Sequence, residues 1–138
     1  MLLALLLTGV FLLLAGVHLY WAFGGRWPGD DEASLVEHVV GRTRDMKAPS
    51  PLACVTVALA LLADGALVLA SVWPPTPLEP WLDAGRWALF AVFAARGAAT
   101  YAPRIFRYAE GTPFWRLNRG AYGPLCLAIA LGICAIQM

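Results

Sequence analysis

Charged side chains are scarce in this chain of 138 residues. Only 14% of the residues are Asp, Glu, Lys or Arg, and 60% are hydrophobic. A soluble globular domain carries about 25% charged residues, so this composition excludes an ordinary soluble domain. The formal net charge of +1 provides no basic face for nucleic acid, which we exclude as a partner. The lipid bilayer is therefore the expected solvent of the chain, and membrane lipid is its expected partner.

Histidine and cysteine are rare as well. The two histidines are His18 and His38, and the three cysteines, Cys54, Cys126 and Cys134, lie in apolar runs without a Cys-x-x-Cys pair. An odd number of cysteines in such runs indicates small apolar residues rather than disulfides or metal ligands. The sequence also lacks a Gly-rich phosphate loop, a Ser-His-Asp set and the His-Glu-x-x-His pattern. We therefore predict no metal and no cofactor, and the sequence leaves open whether the protein is an enzyme.

The chain consists mainly of long apolar runs. Four runs are close to the length of about 20 residues that crosses a bilayer core of about 30 Å. They cover residues 2–23, 51–73, 81–102 and 119–137. No Lys or Arg precedes the first run, so we interpret it as a span and not as a cleaved signal peptide. The expected fold is all-α, an integral membrane four-helix bundle that forms a single transmembrane domain over residues 1–138.

The polar connections between the runs contain two further helical patterns. In the first connection, apolar residues recur with the spacing of one helical face between Leu35 and Val40. In the third connection, Thr112 and Pro113 are the residue types of an N-cap and of a first helical position. Each pattern predicts a short helix at the membrane interface.

Basic residues are distributed unevenly among the three connections. Those after the first and third runs carry four Lys or Arg each, counting Arg119 at the start of the last run, and the one after the second run carries none. Because positive residues mark the cytoplasmic side of a membrane, we expect the two basic connections in the cytoplasm and both termini outside. The tryptophans near the ends of the runs fit the same assignment, with Trp21, Trp27 and Trp115 at the inner interface and Trp73 and Trp81 at the outer one.

Polar side chains recur at two depths in the predicted spans. Counting 1.5 Å per residue from the cytoplasmic ends places one group within about 10 Å of that side. We predict that this group and one interfacial tryptophan line a ligand-binding pocket. Its residues are His18, Trp21, Arg96, Thr100, Asn118 and Tyr122. Asp64 and Arg86 fall deeper, on neighbouring spans. We predict an ion pair between them, because an unpaired charge at the bilayer centre costs about 3 kcal/mol.

Several blocks of the sequence resemble one known family. They are His18-Leu19-Tyr20-Trp21-Ala22 with Gly24-Gly25-x-Trp27, then Arg96, then Phe114-x-x-Leu117-Asn118, and then Tyr122-Gly123-Pro124-Leu125-Cys126-Leu127. The chain is similar in these blocks to a family of small bacterial four-span membrane proteins of unknown function. The resemblance implies a compact four-helix bundle in a bacterial plasma membrane. The resemblance also implies that His18, Trp21, Asn118 and Tyr122 belong to one group, and it implies no activity.

Three functions are compatible with these patterns. The leading one is binding of a small or lipid-like molecule, apolar or anionic, in the pocket near the inner leaflet. In it Arg96 would point inward as an anchor, whereas the alternative for Arg96 is to reach the lipid headgroups with its own long side chain. The second function is a transporter or channel subunit, with Asp64 and Arg86 on a polar path; four spans are few for a transporter, so this one predicts a homo-oligomer. The third is a structural or assembly partner whose polar residues hold helices together.

Overall fold

The computed structural model describes residues 1–102 and 104–138, with the backbone alone at Arg44. In this part of the chain there are six α-helices and no β-strand: α1 (Leu2–Ala22), α2 (Glu32–Val39), α3 (Pro51–Leu69), α4 (Glu79–Ala99), α5 (Pro113–Leu117) and α6 (Gly123–Gln137). Short 3-10 turns occupy Arg44–Met46, Ala70–Val72 and Arg107–Ala109, and a π-helical turn, Asn118–Tyr122, joins α5 to α6. The predicted all-α fold is confirmed.

The helices begin and end at residues whose chemistry satisfies free backbone groups. The Asp31 side chain accepts a hydrogen bond from the backbone N–H of Ser34 at 2.8 Å and caps α2. Ser50 does the same for α3 by accepting from Ala53 at 3.2 Å, directly before Pro51. At the other end of α2, Gly41 has a φ of +98° and donates to the carbonyl oxygen of Val36 at 2.8 Å.

Four long helices pack as antiparallel neighbours around an apolar core. The most extensive contacts join α1 to α3 and α4 to α6, and smaller ones join α1 to α6 and α3 to α4. Phe11 is fully buried in the centre, where its ring meets that of Phe93 edge to face with the centroids 5.6 Å apart. Glycines allow close approach between helices, because a Cβ on Gly132 would lie 3.0 Å from Leu7 and one on Gly85 would lie 3.1 Å from Leu67.

Among the described residues, three helical segments are long and apolar enough to cross a membrane: Leu2–Ala22, Pro51–Val72 and Pro113–Gln137. The prediction of four such segments is therefore wrong by one. α4 has 21 residues, as many as α1, but it carries Glu79, Asp83, Arg86 and Arg96, which make it too polar to qualify by composition. Many leucines on the three apolar segments are exposed, as expected for side chains that face lipid.

The last helix begins earlier than the sequence predicted. It was expected to start at residue 119, after a separate interfacial helix, but helical structure runs from Pro113 to Gln137 without a break. The N-terminal part of this helix, α5, is the helix that Thr112 and Pro113 predicted. It continues because the π-helical turn keeps the backbone helical while it changes the hydrogen-bonding pattern from i+4 to i+5.

The first and third connections pack against each other at one end of the long helices. We call residues 23–50 and 104–112 the loop layer. Gly41 lies so close to Ala109 that a Cβ on Gly41 would come within 2.4 Å of the Ala109 side chain. The hydroxyl of Tyr108 donates to the carbonyl oxygen of Val40 at 3.1 Å. The helix predicted between Leu35 and Val40 is present in this layer as α2.

Candidate functional site

Three of the predicted site residues form one hydrogen-bonded network between α4 and the π-helical turn. Arg96 lies in the last turn of α4, and its Nη1 donates to Thr100 Oγ1 at 2.7 Å. Its Nη2 donates to Asn118 Oδ1 at 2.8 Å. The hydroxyl of Thr100 lies 3.5 Å from the same amide oxygen. Two antiparallel helices thus bring the Asn118 amide to Arg96 and Thr100, which precede it by 22 and 18 positions in the chain.

The network depends on a close approach of the two helices. A Cβ on Gly123 would lie 2.7 Å from Thr100 Cγ2 and 2.9 Å from the carbonyl oxygen of Asn118. A Cβ on Gly97 would lie 2.7 Å from the side chain of Leu127. Because real Cβ atoms do not approach other atoms so closely, Gly123 allows the contact with Thr100 and with the backbone of Asn118. At Gly97 the Leu127 side chain would have to move to admit a Cβ. π-helical turns occur often at functional sites, and this one begins at Asn118.

Aromatic rings close the network on the side of the loop layer. The guanidinium of Arg96 lies over the ring of Phe106, with Cζ 4.8 Å from the centroid. Phe106 contacts Phe114, and Phe114 contacts Tyr122 in turn, with centroids 5.9 and 6.0 Å apart. The Tyr122 hydroxyl donates to the carbonyl oxygen of His38 at 3.2 Å. Tyr122 therefore belongs to the wall around the network and anchors the end of α2.

The network has a positive charge and no counter-charge. Within the described residues, no carboxylate lies within ion-pairing distance of Arg96. Thr100 and Asn118 are buried, with 1% and 0% of their surface exposed, and Arg96 is half-buried. The amide nitrogen of Asn118 is buried and has no hydrogen-bond partner among the described residues. The arrangement can therefore hold an anion or a hydrogen-bond acceptor, but it contains no nucleophile with an adjacent base.

His18 and Trp21 form a separate group at the end of α1. The Nδ1 of His18 lies 2.8 Å from the carbonyl oxygen of Leu14, so that nitrogen is the donor. The rings of His18 and Trp21 meet edge to face with centroids 5.1 Å apart. Trp21 Nε1 donates to the carbonyl oxygen of Trp27 at 2.7 Å. In the described part of the chain, none of these hydrogen bonds or ring contacts reaches the Arg96 network.

A cavity of about 200 Å³ lies beside Trp21, between α1, α2 and the start of α3. The side chains that matter most for its chemistry are Trp21, Arg26, Glu32, Leu35, Val39 and Cys54. Apart from Trp21, none of these residues was predicted to be a site residue. The consecutive glycines Gly24 and Gly25 were the signal in the sequence that could have located these residues. The chain doubles back at Gly24 and Gly25, where a Cβ on Gly25 would lie 2.3 Å from the Tyr20 ring, and this brings the connection against α1.

Arg86 occupies a different environment from the one predicted. Its side chain, 2% exposed, forms ion pairs with Glu79 and Asp83, and its Nε donates to Gln137 Oε1 at 2.7 Å. The ion pair predicted between Asp64 and Arg86 is not formed, because in the part of the chain that is described Asp64 takes part in no hydrogen bond or ion pair with a side chain. Counting residues along the spans predicted the depth of Asp64 and Arg86 in the membrane but not the directions in which their side chains point around the helices. Gly85 is the residue that faces α3, and Arg86 faces α6.

One family model covers both groups of residues. A family model described as "Protein of unknown function (DUF3995)" matches residues 11–133. The chain belongs to this family. The match includes His18 and Trp21 at one end of the DUF3995 region and Asn118 and Tyr122 near the other. It confirms the predicted membership in a family of uncharacterised proteins. Neither a curated protein nor a solved structure matches this DUF3995 chain.

Proposed function

We propose that this DUF3995 protein is a multi-pass membrane protein that binds a small amphipathic molecule in the cavity beside Trp21. The cavity is the observation that supports the proposal. Its volume of about 200 Å³ is below the range of about 300–1,000 Å³ that holds drug-sized ligands. The ligand is therefore a small molecule, or the end of a longer lipid-like molecule.

The lining of the cavity suggests the chemistry of this ligand. Trp21, Leu35 and Val39 provide aromatic and aliphatic surface, and Arg26 and Glu32 provide charges of opposite sign. Glu32 already accepts a hydrogen bond from the backbone N–H of Ala48 at 3.0 Å. Arg26 is exposed and forms no side-chain hydrogen bond within the described residues. A polar group of the ligand, anionic or carbonyl-bearing, would bind Arg26 while its apolar part contacts the aliphatic side chains.

His18 has a positioning role in this proposal. Its ring packs against Trp21 from one turn earlier in α1, and the Nδ1 hydrogen bond to Leu14 holds the imidazole in place. The indole is held from the other side by its hydrogen bond to Trp27. Together these contacts would keep Trp21 in one orientation as a wall of the cavity. The transporter alternative receives less support, because Arg86 is bonded to Glu79, Asp83 and Gln137 in the described part of the chain and is not available for a polar path with Asp64.

We propose further that α4 crosses the membrane beside the three apolar segments, which puts the loop layer in the cytoplasm of a bacterium and both termini outside. The charges of α4 are compatible with this, since Glu79, Asp83 and Arg86 bond to each other near one end and residues 87–95 carry no charge. The positive residues of the first and third connections favour the cytoplasmic side for the loop layer. A cysteine placed at Thr76 should react with an impermeant thiol reagent in intact cells. Labelling only after lysis would contradict this topology.

The ligand proposal can be tested by filling the cavity. Val39→Phe adds a ring to the lining, and Ala33→Phe adds the same ring to an exposed position of the same helix as a matched control. We expect native mass spectrometry of the purified wild-type protein and of the Ala33→Phe protein to show the same small bound molecule. The Val39→Phe protein should lose it. Identical ligand profiles in all three folded proteins, or a wild-type protein that carries no small molecule, would refute the proposal.

A further inference from the structure

Among the described residues, no carboxylate balances the charge of Arg96, and this feature is independent of the cavity beside Trp21. Its two bonded partners, Thr100 and Asn118, are neutral, and so is the Phe106 ring beneath it. Hydrogen bonds to neutral oxygens reduce the cost of removing a guanidinium from water, but they leave its net charge in place. A cation held near the interior of a membrane protein is expected to have an anionic partner.

The position of Arg96 indicates where that partner comes from. Arg96 is the fourth residue from the end of α4, which is about 5 Å along the helix axis from Ala99. Arg96 is only half-buried, so part of its side chain is exposed at the surface of the protein. The long stem of an arginine at this depth brings its head to the level of the lipid headgroups.

The hydrogen bonds of Arg96 leave donors free for a second ligand. Nη1 uses one hydrogen on Thr100 and Nη2 uses one on Asn118. A guanidinium has five N–H donors in one plane, and two of them can bind two oxygens of a phosphate in parallel. Thr100 and Asn118 fix the plane of the guanidinium from the buried side, so the remaining donors are held in one orientation.

The surroundings of Arg96 favour an anionic headgroup. The connection that follows α4 carries Arg104, Arg107, Arg116 and Arg119 against Glu110 alone. Exposed basic residues next to a membrane attract anionic lipids. Arg119 also lies over the ring of Trp115, with its Cζ 5.1 Å from the centroid, an arrangement that suits an interfacial position.

We propose that Arg96 binds the phosphate group of an anionic phospholipid in the leaflet next to the loop layer. Thr100 and Asn118 position the guanidinium for this contact, and the neighbouring arginines raise the local concentration of anionic lipid. Free inorganic phosphate has the same chemistry, so the experiment must distinguish a lipid phosphate from a dissolved one.

The experiment compares full-length proteins in nanodiscs that contain equal amounts of phosphatidylglycerol and phosphatidylcholine. Native mass spectrometry then measures the ratio of the two lipids that remain bound. Arg96→Gln removes the cation, and Asn118→Asp keeps the arginine but gives it an internal carboxylate. Each should lower the phosphatidylglycerol enrichment by about fivefold, whereas Arg119→Gln, the control, should lower it by less. Circular dichroism and size-exclusion chromatography establish that each variant is folded.

Several results would overturn the proposal. One is a wild-type protein that retains the two lipids equally. Another is an Asn118→Asp protein that is folded and keeps the full enrichment; because this variant retains Arg96 and its hydrogen-bond geometry, the test does not depend on whether Arg96→Gln folds. In nanodiscs of phosphatidylcholine alone, inorganic phosphate should not bind measurably. Arg96-dependent binding of inorganic phosphate without any preference for phosphatidylglycerol would refute the lipid source.

Discussion

The two ends of α4 each hold an arginine against an amide of the last helix, but the charges around the two arginines differ. At one end, Arg86 bonds to Gln137 and is enclosed by Glu79 and Asp83, so this cluster carries one excess negative charge. At the other end, Arg96 bonds to Asn118 and has no carboxylate within ion-pairing distance among the described residues, so its cluster carries one excess positive charge.

The partners of each arginine indicate its role. Arg86 makes three hydrogen bonds to two carboxylates and an amide through Nε and Nη2, although its Nη1 is buried without a partner among the described residues. These bonds are expected for a contact that holds α4 to α6. A half-buried arginine with only neutral partners remains available for an anion. We therefore expect substitutions at the Arg86 end to affect stability most, and substitutions at the Arg96 end to affect lipid binding as well.

The largest effect should follow from removing both carboxylates that surround Arg86. The double substitution Glu79→Gln with Asp83→Asn leaves a guanidinium that is 2% exposed without a counter-charge. A buried charge that loses its partners costs about 3 kcal/mol, so the Tm in a zwitterionic detergent should fall markedly. Arg86→Gln should cost less, because the carboxylates that remain are partly exposed and can be hydrated. If the double variant melted at the same temperature as the wild type, this end of α4 would not hold the helices together.

A smaller loss of stability is expected from a change at the Arg96 end. Gly123→Ala places a Cβ 2.7 Å from Thr100 Cγ2, so the π-helical turn must move away from α4. Forcing an extra methyl group into a packed contact costs about 1–3 kcal/mol. Gly120→Ala is the matched control, because it lies in the same turn and a Cβ there meets nothing within 4 Å. Equal melting temperatures for the two variants would show that the close contact at Gly123 is not needed.

The sequence predicted the positions of the helices along the chain better than the directions in which their side chains point. α1 and α3 end within a few residues of the predicted limits, because each is uncharged or nearly so and is bounded by Gly24 or Pro51. Arg96 and Thr100 were predicted to line the same site, and they do lie together, because residues four apart share a face of a helix. The direction of Asp64 was not predictable, since a count of residues along an axis contains no information on rotation about it. The π-helical turn at Asn118 has no recognisable sequence signal, so the start of the last helix was missed.

The smallest effect, but the sharpest contrast, should come from making the same amide-to-carboxylate change at each end of α4. Asn118→Asp neutralises the positive cluster by placing a carboxylate against Arg96, so it should stabilise the fold by about 1 kcal/mol. Gln137→Glu adds a second excess negative charge near Asp83 and removes the hydrogen bond that Gln137 Nε2 donates to that residue, so it should destabilise by a similar amount. The measurement is the change in Tm in a zwitterionic detergent, where no lipid anion competes. Adding phosphatidylglycerol should reduce the advantage of Asn118→Asp, because the wild-type Arg96 would then have a phosphate partner. A change of the same sign at both ends would contradict the assignment of opposite net charges to the two clusters.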